Sequence, residues 1–394
     1  MRKYDSMIGK ILRVVVLSLC IMGPLTGCAG KSAVSKDPVF FPPEPNPPRI
    51  QFLLGIRDSR DVEAKDDSFS LFSVQSGNQK TRVRTLVKPY GLAVNGTTLY
   101  VSDTMQRTVA VIDLEKGRFE LLKGNFGPGS LKKPTGIAVD SEGQLFVADT
   151  QRRLILAYDA LGNFVRSYGD DLKMKPVDVA VDSRQVYILD SENHSIRVLD
   201  RQSGKQKNEF GNTGDPDSRF RLPISMTLDD MGKFAVSNVL SGRILSYDRD
   251  GNYLGGFGKL GDGFGQFSRP RGVAAGGDGQ MYVVDAAFQN VQVFNKDYRL
   301  LMFFGDPGQA KGSLNIPAGI AVSSGRLDYF QKLAAEGFEL SELIFVANQE
   351  GPAKVSIYGL GHMRGVDYDA FYRQAEEERR KEQQRRDKEK IPSK

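Results

Sequence analysis

Four aspartates that end short apolar runs are the side chains of this sequence best suited to hold a metal ion. They are Asp103, Asp149, Asp190 and Asp285, and each closes a run such as LFVAD (145–149). Ca²⁺ takes six to eight oxygen ligands. If the fold places these four carboxylates in a ring at the mouth of a channel, the ring would suit calcium. Asp at the start of a turn also accepts hydrogen bonds from backbone N–H groups two or three residues on, and this is the favoured interpretation. Two related runs end in Asn238 and Asn348, which argues against calcium.

Other catalytic chemistry has few candidate side chains. The sequence contains two histidines, His194 and His362, and two cysteines, Cys20 and Cys28, which both lie near the N-terminus. No cysteine is therefore left for a disulfide or a thiolate metal site in the body of the chain. The G-x-S-x-G turn of many hydrolases is also missing from the sequence. We predict no catalytic residues and no metal site other than the calcium alternative.

The apolar runs belong to a repeat that organises the chain. A proline opens a run such as PTGIAV (134–139), a polar turn follows, and a second run ends in Asp or Asn. Alternation and β-branching in these runs predict the two strands of a hairpin. The opening prolines, 42 to 47 residues apart, are Pro89, Pro134, Pro176, Pro223, Pro270 and Pro317. A regular period of this size indicates a repeat architecture.

A third and a fourth run complete each repeat. The third resembles LILAYD (154–159), and the fourth ends in glycine, as in FVRSYG (164–169). Four antiparallel strands per repeat of this length form one blade of a β-propeller. The sixth repeat has no fourth run after Gly359, but the N-terminal segment RIQFLLG (49–55) has the right pattern. Because an unpaired sheet edge is costly, we predict that this segment closes the ring.

The pattern P-x-G-[IL]-A-V-D, followed by L-[FY]-V-x-D and a later F-G, resembles the NHL repeat over about residues 49–360. The resemblance implies an all-β fold, a six-bladed β-propeller, which the segment 49–55 is predicted to close as its N-terminal strand. The charged residues 361–394 are predicted to form a helical tail, because Glu and Lys or Arg recur there at i,i+4 spacing. Such propellers serve as scaffolds, as binding modules and as a few enzymes. Related lyases and lactonases hold a metal at the central channel with His, Asp and Glu. The alternative function is therefore an enzyme of this kind, with a metal at its channel. The scarcity of histidine favours a non-catalytic binding or scaffold module.

The N-terminus carries an export signal. Residues 1–27 are basic at first and then apolar from Val14 to Met22, which is typical of a secretory signal. The segment ends LTGC (25–28), which resembles the lipobox of bacterial lipoproteins and implies that Cys28 is lipidated. The protein is then expected outside the cytoplasm, anchored by lipid in the bacterial envelope. The proline-rich residues 28–48 are predicted to be an extended linker.

Charge predicts which face of the propeller binds a partner. Loops from second to third strands, and loops from one blade to the next, share one face of a propeller, here called the top face. These loops are mainly basic, whereas the loops of the opposite, bottom face are mainly acidic, and clustered charge attracts the opposite sign. The candidate binding residues are Arg107, Arg152, Arg153, His194, Arg243 and Arg269. The expected partner is a protein or an anionic envelope polymer, and nucleic acid is not expected because the chain is predicted to be exported.

Overall fold

Each repeat of the sequence folds as one antiparallel sheet. The computed structural model describes residues 37–63 and 83–389. These residues form six sheets, and in five of them four strands lie in the order in which they occur in the chain. The all-β, six-bladed β-propeller expected from the sequence period is therefore confirmed.

The strands of the first half of the chain have the following bounds. They are β1 (Val39–Phe41), β2 (Ile50–Ile56), β3 (Pro89–Asn95), β4 (Thr98–Asp103), β5 (Thr108–Asp113), β6 (Arg118–Leu121), β7 (Pro134–Val139), β8 (Leu145–Asp149), β9 (Leu154–Tyr158), β10 (Phe164–Tyr168), β11 (Pro176–Val181), β12 (Gln185–Asp190), β13 (Ser195–Asp200) and β14 (Gln206–Phe210). Strands β3 to β6, β7 to β10 and β11 to β14 form blades one to three.

The second half of the described chain contains the remaining strands and two α-helices. They are β15 (Pro223–Leu228), β16 (Phe234–Asn238), β17 (Arg243–Tyr247), β18 (Tyr253–Phe257), β19 (Pro270–Ala275), β20 (Met281–Asp285), β21 (Asn290–Phe294), β22 (Leu300–Phe304), β23 (Pro317–Ser323), α1 (Leu327–Phe330), β24 (Phe338–Asn348), β25 (Val355–Met363) and α2 (Tyr368–Glu389). Strands β15 to β18 form blade four and β19 to β22 form blade five.

The core lies between neighbouring blades. In one cluster, Tyr187 of blade three packs edge-on against Phe234 of blade four with ring centroids 4.8 Å apart, and both are fully buried. Full burial of such a side chain contributes ~1.5–3 kcal/mol. Both faces of each sheet are therefore apolar, because each blade packs between two others, and this explains the nearly continuous apolar runs of the sequence.

The sixth blade joins the two ends of the propeller. Strand β2 pairs antiparallel with β25, with Ile50 opposite Leu360 and Ile56 opposite Val355. The sheet order is β1-β2-β25-β24-β23. The predicted closure by the N-terminal strand is confirmed, and it removes the exposed edge that the third strand of the blade would otherwise present.

The proline-rich segment differs from the predicted extended linker. Its residues Val39–Phe41 form β1, a fifth, outermost strand, in which Val39 lies opposite Phe52. The Phe41 ring packs against Phe304 and Tyr358, with centroids 6.0 and 6.2 Å away. The prolines lie outside β1, with Pro38 before it and the other five in the turn between β1 and β2, where their missing N–H groups cost no ladder hydrogen bond. The apolar triplet VFF therefore pairs despite the surrounding prolines.

The charged tail begins with a packed turn. Strand β25 continues to Met363, beyond the expected end of the propeller at residue 360, and α2 follows. The Tyr368 hydroxyl donates to the carbonyl of Pro48 at 2.7 Å, and the Arg49 guanidinium lies 4.0 Å from the Tyr368 ring. The expected C-terminal helix is present, and its first turn is fixed to the start of β2. In the part of the chain that the structure describes, neither helix is long and apolar enough to cross a membrane.

The segment between β23 and β24 of blade six, residues 324–337, packs against blade one. Helix α1 lies in it, and Phe330 at its end is fully buried in a cluster that contains residues of both blades. The Tyr329 hydroxyl donates to the Leu114 carbonyl at 2.8 Å. Arg326 forms an ion pair of 2.7 Å with Glu115. These contacts add to the closure of the ring on its bottom face.

Candidate binding face and channel

The four strand-ending aspartates form turns on the top face. All four are fully buried. Oδ1 of Asp149 accepts from the N–H groups of Gln151 and Arg152 at 3.1 and 2.9 Å, and Oδ2 accepts from Lys132 N–H at 2.6 Å. The other three, Asp103, Asp190 and Asp285, accept equivalent backbone bonds from their own turn and from the loop before the same blade. Each carboxylate therefore joins two loops of the top face.

These hydrogen bonds support the turn-forming interpretation over exposed calcium ligands at the channel mouth. The carboxylate oxygens are buried and already accept from backbone donors, so they do not present a ring of ligands to solvent. Among residues 37–63 and 83–389, no three His, Cys, Asp or Glu side chains are grouped so that they could hold a metal ion. The turn-forming role proposed from the sequence is the one these aspartates have.

The residue before each opening proline lies at the rim of the channel. Since the proline begins the innermost strand, these six residues surround the entrance, and we call them the rim. In four blades the rim residue is basic and exposed: Lys88, Lys133, Lys175 and Arg269. In blades four and six it is Leu222 or Ile316. The rim therefore combines positive charge with apolar side chains.

The two apolar rim residues occur where asparagine replaces the strand-ending aspartate. Asn238 and Asn348 each accept one backbone N–H and donate their amide to a backbone carbonyl. Leu222 and Ile316 have φ values of +59° and +49°. This conformation is unfavourable for a residue with a Cβ, most of all for a branched one. Among the six rim residues, positive φ thus occurs in the two blades whose turn has an amide in place of a carboxylate.

The predicted binding residues divide into exposed and structurally engaged groups. Arg107, Arg153 and Arg269 are exposed, and Arg153 forms an ion pair with Glu192 of the next blade. Arg152 is partly buried, and its Nη1 donates to the carbonyls of Pro128 and Ser130 at 2.6 and 2.8 Å. Arg152 therefore supports the preceding loop, and its guanidinium is not fully available to a partner.

Arg243 and His194 are also held by the fold. Nη1 of Arg243 lies 3.0 Å from Oδ1 of Asp217, and its Nη2 donates to the Tyr253 hydroxyl at 3.4 Å. His194 is partly buried, has φ of +55°, and its buried Nδ1 has no hydrogen-bond partner in the described part of the chain. The residues best able to contact a partner are therefore Arg107, Arg153 and the rim.

The top loops also carry exposed apolar side chains, which the sequence analysis did not consider. Phe126 is 73% exposed, Leu240 66% and Met105 64%. Within the described residues, the complete set in the second-to-third-strand and interblade loops is Val83, Val87, Met105, Phe126, Leu222, Leu240, Leu260, Phe264 and Ile316. The loops that join strands on the bottom face carry three in the described residues: Leu161, Met231 and Leu333. A concentration of exposed apolar side chains on one face is typical of an interaction surface.

A narrow channel lies below the rim. A cavity of about 70 Å³ is lined by residues from the first strands of all six blades. Tyr90, Asp178 and Arg271 are its ionisable residues, and the channel widens to a cavity of about 500 Å³ toward the bottom face. The Arg271 guanidinium carbon lies 5.9 Å from the centroid of the Tyr90 ring.

Sequence reasoning missed these three residues, although a signal was present. They occupy the second or third position of the P-x-G motif, which reads PYG, PTG, PVD, PIS, PRG and PAG in successive repeats. Because equivalent positions of the innermost strands meet at the channel, comparing this position between repeats identifies the polar lining. Tyr90, Asp178 and Arg271 are the departures from small or apolar residues that the comparison would have found.

Asp178 is a buried acid with an altered proton affinity. Its side chain is 8% exposed, and Oδ2 accepts from Met226 N–H at 2.8 Å. Burial raises the pKa of Asp178 from 3.8 to about 7. A raised pKa in the folded state means that the folded protein binds the proton more tightly than the unfolded chain between these two values.

We therefore expect the contribution of Asp178 to stability to fall as pH rises. The stabilising contribution is fully present below about pH 4 and is lost as the pH rises through about 7. The free energy of unfolding should fall by up to about 4 kcal/mol over this range, at ~1.4 kcal/mol per pKa unit. Urea unfolding of the protein and of Asp178→Asn at pH 5 and pH 8 measures this effect. The change in unfolding free energy between the two pH values, compared between protein and variant, gives the part due to the Asp178 carboxyl. Asp230→Asn, an exposed change, is the control. An identical pH slope in the protein and in Asp178→Asn would contradict the expectation.

Comparisons with known proteins agree with this architecture. Residues 174–199 match the family model of the NHL repeat. The protein brain tumor of Drosophila melanogaster is 27% identical over 168 residues, which are 40% of this chain and 16% of that protein, so the chain spans a small part of the length of this relative.

Two solved structures resemble the fold. A gluconolactonase of Xanthomonas campestris has a TM-score of 0.51 at 17% identity, covering 82% of this chain and 97% of that chain. A protein of unknown function from Bacteroides thetaiotaomicron has a TM-score of 0.54 at 15% identity, covering 79% and 75%. At these identities the likeness concerns the fold alone. The chain is a six-bladed β-propeller that contains an NHL repeat, as its sequence pattern predicts.

Proposed function

We propose that this propeller is a non-catalytic binding module of the bacterial cell envelope, anchored by lipid at Cys28, whose top face binds the acidic surface of a partner protein. The observation that carries the proposal is the concentration of nine exposed apolar side chains, counted in the described residues, on the loops that also carry the basic rim. Protein interfaces combine aromatic residues, methionine and arginine in this way. An anionic polymer would use the basic residues but would gain little from Phe126 or Leu240.

Charge and apolar surface have different roles in this proposal. The exposed rim residues Lys88, Lys133, Lys175 and Arg269 would attract an acidic partner and speed its association. The apolar side chains would supply most of the affinity when they are buried in the complex. Binding should accordingly weaken with salt but persist at moderate ionic strength.

The alternative function is an enzyme with a metal at the channel, such as a lyase or a lactonase. Such a centre needs several grouped ligands, and the described residues offer no group of three His, Cys, Asp or Glu. Elemental analysis of the dialysed protein separates the two functions, because stoichiometric zinc, iron or copper would support the enzyme.

We expect photo-crosslinking in intact cells to identify the binding face. A photoreactive amino acid at Phe126 or Leu240, on the top face, should give a discrete adduct with one protein. The same amino acid at Met231 or Leu161, on the bottom face, should give at least about fivefold less, although these residues are 94% and 72% exposed. The four positions are comparably exposed, so accessibility does not account for a difference.

Charge reversal tests the basic rim in the same assay. Lys133→Glu combined with Arg269→Glu should remove most of the adduct, whereas Lys296→Glu with Arg299→Glu on the bottom face should leave it unchanged. All four side chains are exposed, so none of the changes disturbs the core. Equal adducts from both faces, or an adduct unaffected by the rim reversals, would refute binding through the top face.

Lipid anchoring is a separate part of the proposal. It rests on LTGC (25–28) after an apolar segment, and these residues lie outside the described part of the chain. We expect Cys28→Ser to prevent acylation, so that a fatty-acid probe does not label the variant. The signal peptide of the variant should also not be cleaved before residue 28. Cys20→Ser is the control and should mature normally. Normal labelling and membrane retention of Cys28→Ser would show that this cysteine is not the anchor.

A further inference from the structure

Within residues 37–63 and 83–389, the channel side chain of Arg271 is charged and has no counter-ion. It is the second residue of β19 and lines the cavity of about 70 Å³ below the rim. Its Nη1 is buried and has no hydrogen-bond partner, and no carboxylate of the described residues lies within 4.0 Å of its guanidinium nitrogens. The other arginines of the top face discussed above are exposed or hydrogen-bonded.

A guanidinium in this position is unfavourable for the free protein. Burial lowers the pKa of Arg271, but arginine remains protonated in proteins, so its charge stays in the channel. A buried N–H of a charged group without an acceptor is destabilising, because the hydrogen bond to water that it loses is not replaced. Most buried polar side-chain atoms have a hydrogen-bond partner, so an unpaired one in a cavity calls for an explanation such as a ligand.

The neighbouring groups do not neutralise Arg271. The Tyr90 ring lies beside it, and burial raises the pKa of the Tyr90 hydroxyl, which therefore stays uncharged. Asp178 points its Oδ2 at the Met226 N–H and its Oδ1 at the Val179 N–H, so its carboxylate is committed to the backbone. Arg269, two residues before Arg271, is exposed at the rim and adds positive charge at the entrance.

We propose that Arg271 is the base of an anion site in the channel and binds one carboxylate group that enters from the top face. Guanidinium and carboxylate groups form two parallel hydrogen bonds, which supply the acceptor that Nη1 lacks. The cavity of about 70 Å³ has room for a group the size of about two water molecules, at ≈30 Å³ each, and so for a carboxylate but not for a sugar or nucleotide. The basic rim above concentrates anions at the entrance. This inference goes beyond the proposed function, because it requires no partner protein.

Acetate is the simplest probe of the site. Titration of the isotopically labelled protein with sodium acetate, at constant ionic strength against chloride, should shift the Arg271 side-chain N–H signals in a saturable way. Acetamide, which has the same shape and no charge, should produce no shift. Arg271→Met keeps most of the apolar stem and should weaken acetate binding by about ten- to a hundredfold, as expected for loss of hydrogen bonds to a charged group.

Two further variants keep the test decisive. Arg271→Lys retains the charge without the planar fork and should bind acetate more weakly than the protein but more tightly than Arg271→Met. Arg269→Met changes the exposed rim and should weaken binding by no more than about threefold, since it alters attraction and not the contact. The carboxylate could belong to a protein or to a small free acid, and a short acidic peptide tested beside acetate distinguishes these two sources. Tighter binding of the peptide indicates a carboxylate carried by a protein, and tighter binding of acetate indicates a small free acid.

The proposal fails if acetate and the peptide leave the protein unaffected, or if Arg271→Met binds acetate as well as the unchanged protein does. It also fails if acetamide competes equally, because recognition would then not depend on charge. These outcomes are independent of the crosslinking result, since a protein partner could bind the top face without placing a carboxylate in the channel.

Discussion

A chain that begins at Arg57 should aggregate or melt far below one that begins at Pro38. The shorter chain lacks β2, which lies between β1 and β25 in the sixth blade. Its loss exposes the whole hydrogen-bonding edge of β25, which is long and apolar. Thermal unfolding with size-exclusion chromatography of the two chains measures the effect.

The expected loss is large because β2 is part of the core. Ile50 and Ile56 are fully buried, and Phe52 packs edge-on against Tyr358 with ring centroids 5.5 Å apart. Burial of each such side chain contributes ~1.5–3 kcal/mol. The sum of the three approaches the ~5–15 kcal/mol that keeps a typical domain folded.

Two matched truncations locate the effect in β2. A chain that begins at Arg49 loses only β1, whose three residues are half-buried, and should melt a few degrees lower. A chain that ends at Arg373 keeps Tyr368 and Tyr372, the two tail residues that contact Arg49, so its melting temperature should be unchanged. If the chain that begins at Arg57 were monomeric and as stable as the chain that begins at Arg49, β2 would not be needed to close the ring.

The fold was predictable because the information is local and repeated. A hairpin such as PTGIAVDSEGQLFVAD (134–149) has apolar runs of strand length and a turn rich in Gly and Asp, and six similar copies leave one architecture. The closing strand was predictable for a different reason. Five repeats have a fourth strand and the sixth repeat does not, so one blade is incomplete. The segment RIQFLLG (49–55) ends in glycine, as the fourth strands do, and is the remaining candidate.

The site was less predictable because side chains from different repeats meet there. Arg152 and Arg153 are adjacent and equally basic, but Arg152 donates to two carbonyls of the preceding loop while Arg153 is exposed. Nothing within one repeat distinguishes them. The strand β1 was missed for a related reason, since its partners Phe304 and Tyr358 are more than 250 residues away in the sequence.

The channel shows how a repeat position becomes a functional one. In most repeats the third residue of the P-x-G motif is glycine, because the innermost strands of adjacent blades come close together there. A Cβ at Gly91 would lie 2.3 Å from the backbone carbonyl oxygen of Thr135 in the next blade. In blade three the position is Asp178, and its side chain occupies the space beside Gly136. A glycine in one blade thus makes room for a polar side chain in the next.

We therefore expect Gly91→Ala to be strongly destabilising although it adds a single methyl group. The Thr135 carbonyl cannot rotate away, because it belongs to the innermost strand of blade two and accepts a hydrogen bond from the buried Ser102 hydroxyl. Relief of the clash requires blades one and two to separate, which opens the core between them. Overpacking of this kind costs typically ~1–3 kcal/mol, and a rigid backbone obstacle places Gly91 at or above the upper end. Urea unfolding at fixed pH gives the value.

Gly214→Ala is the matched control for this change. A Cβ at Gly214 would meet no atom within 4 Å, and the residue lies in an exposed loop between blades three and four. Its replacement should change stability by no more than about 0.5 kcal/mol, as surface substitutions usually do. Equal losses of unfolding free energy from Gly91→Ala and Gly214→Ala would mean that glycine at the P-x-G position affects stability through backbone conformational freedom and not through close contact. A large effect at Gly91 alone would show that close contact between the innermost strands sets the width of the channel that contains Tyr90, Asp178 and Arg271.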